Sequence, residues 1–141
     1  MRKIELIVIH CSATRVDRRL PVDALERSHR ARGFNGIGYH YYITRDGVTH
    51  PCRAEERVGA HALGYNARSI GICYEGGLDK DGQPADTRTA LQRASMEALV
   101  RSLLADYPHA EVLGHCDLPG VQKSCPCFNV KEWIQECGIP Q

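Results

Sequence analysis

Apolar positions along the chain change their spacing several times, and each change marks an element. Ile4 to Ile9 is short, β-branched and broken only by Glu5, and it ends at the polar cluster Cys11-Ser12-Ala13-Thr14. That pattern predicts a buried strand with His10 at its C-terminal end. Pro21 then opens a helix through about Arg32, with Asp23 and Glu26 where the helix dipole favours anions and Gly33 at the C-terminal cap. Val22, Leu25 and His29 share one face of it, and His29 reads as a half-buried helix residue. Gly36-Ile37-Gly38 is a flexible approach to the aromatic and β-branched run Tyr39-His40-Tyr41-Tyr42-Ile43-Thr44, a strand. Asp46-Gly47 turns it into a hairpin whose returning strand is Val48 to Cys52.

Glu55 to Asn66 has no clear period. It holds His61 between Gly59-Ala60 and Ala62-Leu63-Gly64, small neighbours that leave room for a ligand to approach, although a plain surface loop has the same look. Ser69 to Tyr74 is a central strand ended by Gly76-Gly77, and Leu78 to Asp86 is a surface loop. Thr89 and Gln92 have capping-box spacing, and Met96, Leu99, Val100, Leu103, Leu104 and Tyr107 form the apolar stripe of a long helix stopped by Pro108. Val112-Leu113-Gly114 is a short strand that delivers His115. A last helix from about Val130 to Cys137 carries Trp133, expected against the sheet. The order predicts an α/β fold, a central mixed β-sheet flanked by helices, in one domain over residues 1–141.

Composition narrows the class of function. A formal charge of +1 with 25% charged residues is an ordinary soluble surface, with no field that argues for nucleic acid or lipid. Six arginines between Arg15 and Arg32 lack interleaved aromatics and read as a solvated helix face, with contact to an anionic polymer as the alternative. Met1-Arg2-Lys3 leads into an apolar run too short and too charged for a signal peptide or membrane span, so cytoplasmic synthesis without membrane insertion is expected. Seven cysteines show no framework spacing, which suits reduced thiols, one or more of them binding metal.

Chemistry concentrates in Gly114 to Phe128, where His115, Cys116, Lys123, Cys125 and Cys127 crowd around Leu118-Pro119-Gly120. An imidazole and a thiolate are the ligand types that suit Zn²⁺, and the Leu-Pro-Gly turn can bring His115 and Cys125 together. A third ligand has to come from elsewhere, and His10 is the best offer. Two histidines, one cysteine and an open fourth position make a catalytic zinc site; the competing reading is a packed histidine among buried cysteines. Tyr39, at the mouth of its strand, is either core filler or a hydrogen-bond donor.

These strings also carry a resemblance. Ile9-His10-Cys11-Ser12-Ala13-Thr14, Gly38-Tyr39-His40, Arg45-Asp46-Gly47, Val58-Gly59-Ala60-His61-Ala62, Gly64-Tyr65-Asn66, Ser69-Ile70-Gly71-Ile72 and Lys123-Ser124-Cys125-Pro126 resemble, in order and spacing, the zinc-dependent N-acetylmuramoyl-L-alanine amidases of the phage-lysozyme and peptidoglycan-recognition-protein group. The resemblance spans nearly the whole chain. It implies His10, His115 and Cys125 as zinc ligands, Tyr39 and Lys123 as catalytic residues, and hydrolysis of the amide between N-acetylmuramic acid and L-alanine of the peptidoglycan stem. His61 is then expected to line the substrate site. Cys127 departs from the pattern, because a small polar residue is expected there and a second thiol could compete with Cys125 for the metal.

Catalysis is set against a second reading, a muropeptide-binding module without activity. Recognition-only members usually lose a ligand, typically the cysteine, and all three are present here. A phage relative also binds RNA polymerase, but no residue here establishes such an interface. A monomer acting at the periplasm or cell wall, as a prophage endolysin or a wall-remodelling enzyme, is the expectation.

Overall fold

The computed structural model describes residues 2–141. Strand β1 (Leu6–Cys11) lies inside a five-stranded sheet with β3 (Tyr41–Ile43), β4 (Thr49–Pro51), β5 (Ser69–Tyr74) and β7 (Glu111–Gly114), in the order β4-β3-β5-β1-β7. β1 pairs parallel with β5 and β7, β3 pairs parallel with β5, and only β4 runs antiparallel, as the return arm of the Asp46-Gly47 hairpin. Gly47 takes φ +82°, the left-handed conformation the turn needs. The sheet is mixed, as the sequence pattern predicts, and Ser69–Tyr74 occupies its centre.

Alternation along β1 sorts its side chains between two layers. Ile7, Ile9 and Cys11 join Ile70, Ile72 and Tyr74 in a core closed by α2 (Ala90–Asp106) and α3 (Val130–Glu136), through Met96, Val100, Leu103, Val130, Trp133 and Ile134. On the opposite face Val8 packs with Leu113, Ala62 and Leu118. There α1 (Val22–Ala31) covers the β3 and β5 side, burying Leu25 against Ile37, Tyr42 and Cys73. Helix α1 stops short of β1 and β7. His10 therefore faces the less covered half of this surface.

The capping box at α2 is present in full: Gln92 N–H donates to Thr89 Oγ1 at 3.1 Å, and Thr89 N–H donates to Gln92 Oε1 at 3.0 Å. The same two residues moor the helix to the sheet. Thr89 Oγ1 donates to Arg45 O at 2.8 Å, and the buried Gln92 amide donates to Ile43 O at 3.1 Å and Glu75 O at 3.0 Å. The Glu75 carboxylate, itself buried, accepts from Leu20 N at 2.6 Å and Arg45 N at 2.9 Å, fixing the loop ahead of α1.

Several expectations need correction. β1 begins at Leu6 and runs on through Cys11, so His10 is its penultimate residue, one position inside the C-terminal end expected for it. Tyr39 sits in a bend before β3, because Gly38 turns the chain against Ala60. Strand alternation continued past Gly114 would put Cys116 in the core, but it is half-exposed, since β7 ends at Gly114 and residues His115–Asp117 form a 3₁₀ turn in which that alternation no longer holds. A parallel ribbon of β2 (Thr14–Arg15) and β6 (Gly77–Leu78) lies in stretches too short and polar to show a period. No described helix is long and apolar enough to cross a membrane.

Thr89→Ala removes the cap and the bond to Arg45 together. We expect a loss of about 1 kcal/mol or somewhat more, read as a lower urea midpoint with unchanged slope.

Candidate metal centre and active-site cleft

The cleft forms where β1 and β7 end side by side. After β7, Gly114 N–H donates to Asp117 Oδ2 at 2.8 Å, which fixes the turn presenting His115. The loop leaving that turn closes on itself: Cys116 N–H donates to Cys125 O at 2.9 Å, and Leu118 to Val121 makes a tight turn with Gly120 at φ +81°. This closure brings Cys125 back to β1. The donor atoms of His10, His115 and Cys125 then all lie within 4.8 Å of one another. His10 Nδ1 stands 3.9 Å from Cys125 Sγ, and Cys11 N–H donates to that sulfur at 3.2 Å.

The ring of His10 is only 2% exposed, and its second nitrogen is also partnered. Nε2 lies 2.9 Å from His61 Nδ1, and His61 Nε2 lies 3.2 Å from Ser69 Oγ at the start of β5. Asn66 Oδ1 accepts from His61 N at 2.9 Å and Ala62 N at 2.8 Å, holding the otherwise irregular loop. Burial holds the pKa of His10 well below its usual 6.5, with nearby His61, His115 and Lys123 acting in the same direction. His115 is lowered by burial and then by Lys123, and burial brings His61 down to about 3. All three rings are thus neutral at pH 7, the state a metal ligand requires.

Two neutral imidazoles and one thiol suit a tetrahedral, zinc-type ion with three protein ligands and one open position. Among the described residues these three form the cluster able to share one ion. Cys127 turns elsewhere, its sulfur 3.9 Å from that of Cys11, whose side chain belongs to the core on the other face of the sheet.

Tyr39 packs beside the cluster, with its ring centroid 5.1 Å from that of His10. A Cβ at position 38 would come within 2.1 Å of Ala60 O, so only glycine allows this bend to lie against the His61 loop. The bend is also held from α1, where buried His29 accepts a hydrogen bond from Gly38 N at 2.9 Å. Helical spacing marks His29 as inward-facing but carries no sign of that bond, and sequence reading leaves it off the site. Burial, followed by the Cys73 and Cys125 thiols, holds the Tyr39 phenol well above pKa 10, so it is a neutral donor at pH 7. Lys123 is exposed at the rim. Beyond the cluster runs a groove of about 570 Å³, lined by Arg32, Phe34, His61, Tyr65 and Lys123 and edged by Leu63, a leucine that is 96% exposed.

The arrangement around His10 is that of a small hydrolase with a candidate metal site, and comparison with known proteins makes it specific. Residues 1–128 match the N-acetylmuramoyl-L-alanine amidase family, and the chain belongs to that family. It is 39% identical over 132 residues to the endolysin of Enterobacteria phage T3, covering 94% of this chain and 86% of that one. The endolysin of Escherichia phage T7 is 38% identical over the same length and coverage. Among solved structures, the N-acetylmuramoyl-L-alanine amidase LysC from Clostridium intestinale URNW superposes with a TM-score of 0.82 at 33% identity, over 99% of this chain and 88% of that one. Bumblebee PGRP-SA shares the fold, with a TM-score of 0.76 at 22% identity over 96% of this chain and 82% of its own.

The depressed histidines set a pH dependence of stability. Above pH 6.5 they are neutral folded or unfolded; as the pH falls from there toward about 3, the unfolded chain takes up a proton that folded His61 refuses. Each such histidine removes up to about 1.4 kcal/mol per pH unit. The urea midpoint of the metal-free protein is therefore expected to fall on acidification from about pH 6.5, and less steeply in His61→Gln. A midpoint that holds or rises over that range would contradict the assignment.

Proposed function

We propose that this chain is a zinc-dependent amidase that cleaves the bond between N-acetylmuramic acid and L-alanine of the peptidoglycan stem. The observation that carries the reading is the convergence of His10, His115 and Cys125 at the head of a groove, in a member of the N-acetylmuramoyl-L-alanine amidase family. In this reading those three residues hold Zn²⁺ and leave one position open. When bound, the ion supplies Lewis acidity toward the scissile carbonyl and brings the pKa of water toward neutrality.

The remaining roles fall to the chain's own groups. The Lys123 ammonium at the rim offers a positive charge to the oxygen on which negative charge develops, and the Tyr39 hydroxyl, protonated at neutral pH, offers a hydrogen bond beside it. His61, with Tyr65 and Leu63, forms the wall on which the muropeptide lies. A binding module needs only that groove. The complete donor set and the charge at its rim favour catalysis. We further propose that residues 1–141 act as one domain, a monomer made in the cytoplasm and acting on the cell wall, as the name of the phage relatives suggests.

The test is mass spectrometry of products from a muropeptide with intact sugar and stem. A free stem peptide beginning with L-alanine is expected from zinc-loaded protein and not after chelation; untouched substrate from protein shown to hold zinc would favour the binding module. Lys123→Ala and Tyr39→Phe should each retain zinc and lower kcat by about 10²- to 10³-fold. Wild-type turnover in either variant removes that residue from the mechanism. Cys125→Ser should lose zinc and Cys127→Ser should keep it, and the reverse would reassign the thiol ligand.

A further inference from the structure

We propose that His61 is the positioning residue that fixes the tautomer of His10, accepting a hydrogen bond from His10 Nε2 so that Nδ1 is left bare for the metal. The inference rests on the metal centre proposed above. A neutral imidazole carries one N–H and one bare nitrogen, and only the bare one can ligate. His10 Nδ1 faces Cys125 Sγ at 3.9 Å while Nε2 faces His61 Nδ1 at 2.9 Å, so the nitrogen on the metal side is Nδ1.

One hydrogen-bond polarity is consistent with ligation. His10 must hold its proton on Nε2 and donate to His61 Nδ1, which obliges His61 to hold its own proton on Nε2, where Ser69 Oγ accepts at 3.2 Å. The opposite polarity, with His61 donating from Nδ1, puts the proton of His10 on Nδ1 and closes the site to a cation. Ser69, fully buried at the start of β5, provides a hydroxyl oxygen that can accept from His61 Nε2 in the polarity that ligation requires.

The surroundings hold the His61 ring in this one place. A Cβ at Gly71 would come within 2.7 Å of the ring and one at Gly59 within 2.8 Å, so both positions are glycine-shaped recesses that the imidazole fills. Asn66 fixes its backbone from below. Partners of this kind on the distal nitrogen orient a ligating histidine and raise its basicity, and their loss costs about 10- to 100-fold in metal affinity.

The experiment measures zinc affinity by competition with a chromogenic chelator, and imidazole ¹⁵N shifts of the zinc-loaded wild-type protein. His61→Ala should bind zinc about 10- to 100-fold more weakly with its fold retained by circular dichroism. His61→Asn, which keeps an acceptor near the Nδ1 position, should recover most of that loss, and Ser69→Ala should lose a smaller part. The spectra should show both His10 and His61 protonated on Nε2. Unchanged zinc affinity in His61→Ala, or a proton on His61 Nδ1 in the wild-type protein, overturns the proposal while leaving the metal centre standing. Wild-type protein that binds no zinc overturns both. Because the spectra need no variant, a misfolded substitution does not blunt the test.

Discussion

Burying an imidazole obliges the fold to find partners for two nitrogens, and the cleft is arranged around that obligation at His10. One nitrogen faces Cys125 and the other meets His61. An unpaired polar atom at 2% exposure would cost stability outright, so the strand that buries His10 must bring both partners from far along the chain. Parallel pairing does the first part: β1 sits between β5 and β7, and each neighbour delivers one side of the site. From the β5 side come His61 and Ser69; from the β7 side come His115 and, through the closed loop, Cys125. The candidate metal site is then the place where these two sets of partners converge.

The same arrangement divides the work between the faces of the sheet. The core under α2 and α3 takes Ile7, Ile9 and Cys11, which anchors β1 without using its polar residue. The other face is covered only in part by α1, and the uncovered part is the groove. Rigidity and access therefore come from one strand with alternating sides. Cys11 contributes to both, since its side chain is in the core while its backbone N–H donates to the Cys125 sulfur.

Much of this could be read from the chain. Ser69–Tyr74, the Thr89 and Gln92 capping box and the Asp46-Gly47 hairpin are local patterns, set by residues within a few positions of each other, and each stands in the structure where the pattern puts it. The chemistry of His10, His115 and Cys125 was also legible, because few loops need that mixture of donors. What escaped is long-range. The bond from His29 to Gly38, the His10 to His61 contact across 51 positions and the β2 with β6 ribbon depend on how the chain returns, and no periodicity records that. Strand alternation misplaces Cys116 for a related reason: it does not hold past Gly114, in a turn whose geometry Asp117 determines.

The central claim is a metal held by two nitrogens and one sulfur of this chain. X-ray absorption at the zinc edge of the zinc-loaded protein tests it most directly. The account predicts one equivalent of zinc with a single sulfur at about 2.3 Å and nitrogen or oxygen ligands at about 2.0–2.1 Å. A shell without sulfur, a shell with two, or protein that takes up no stoichiometric zinc would contradict it.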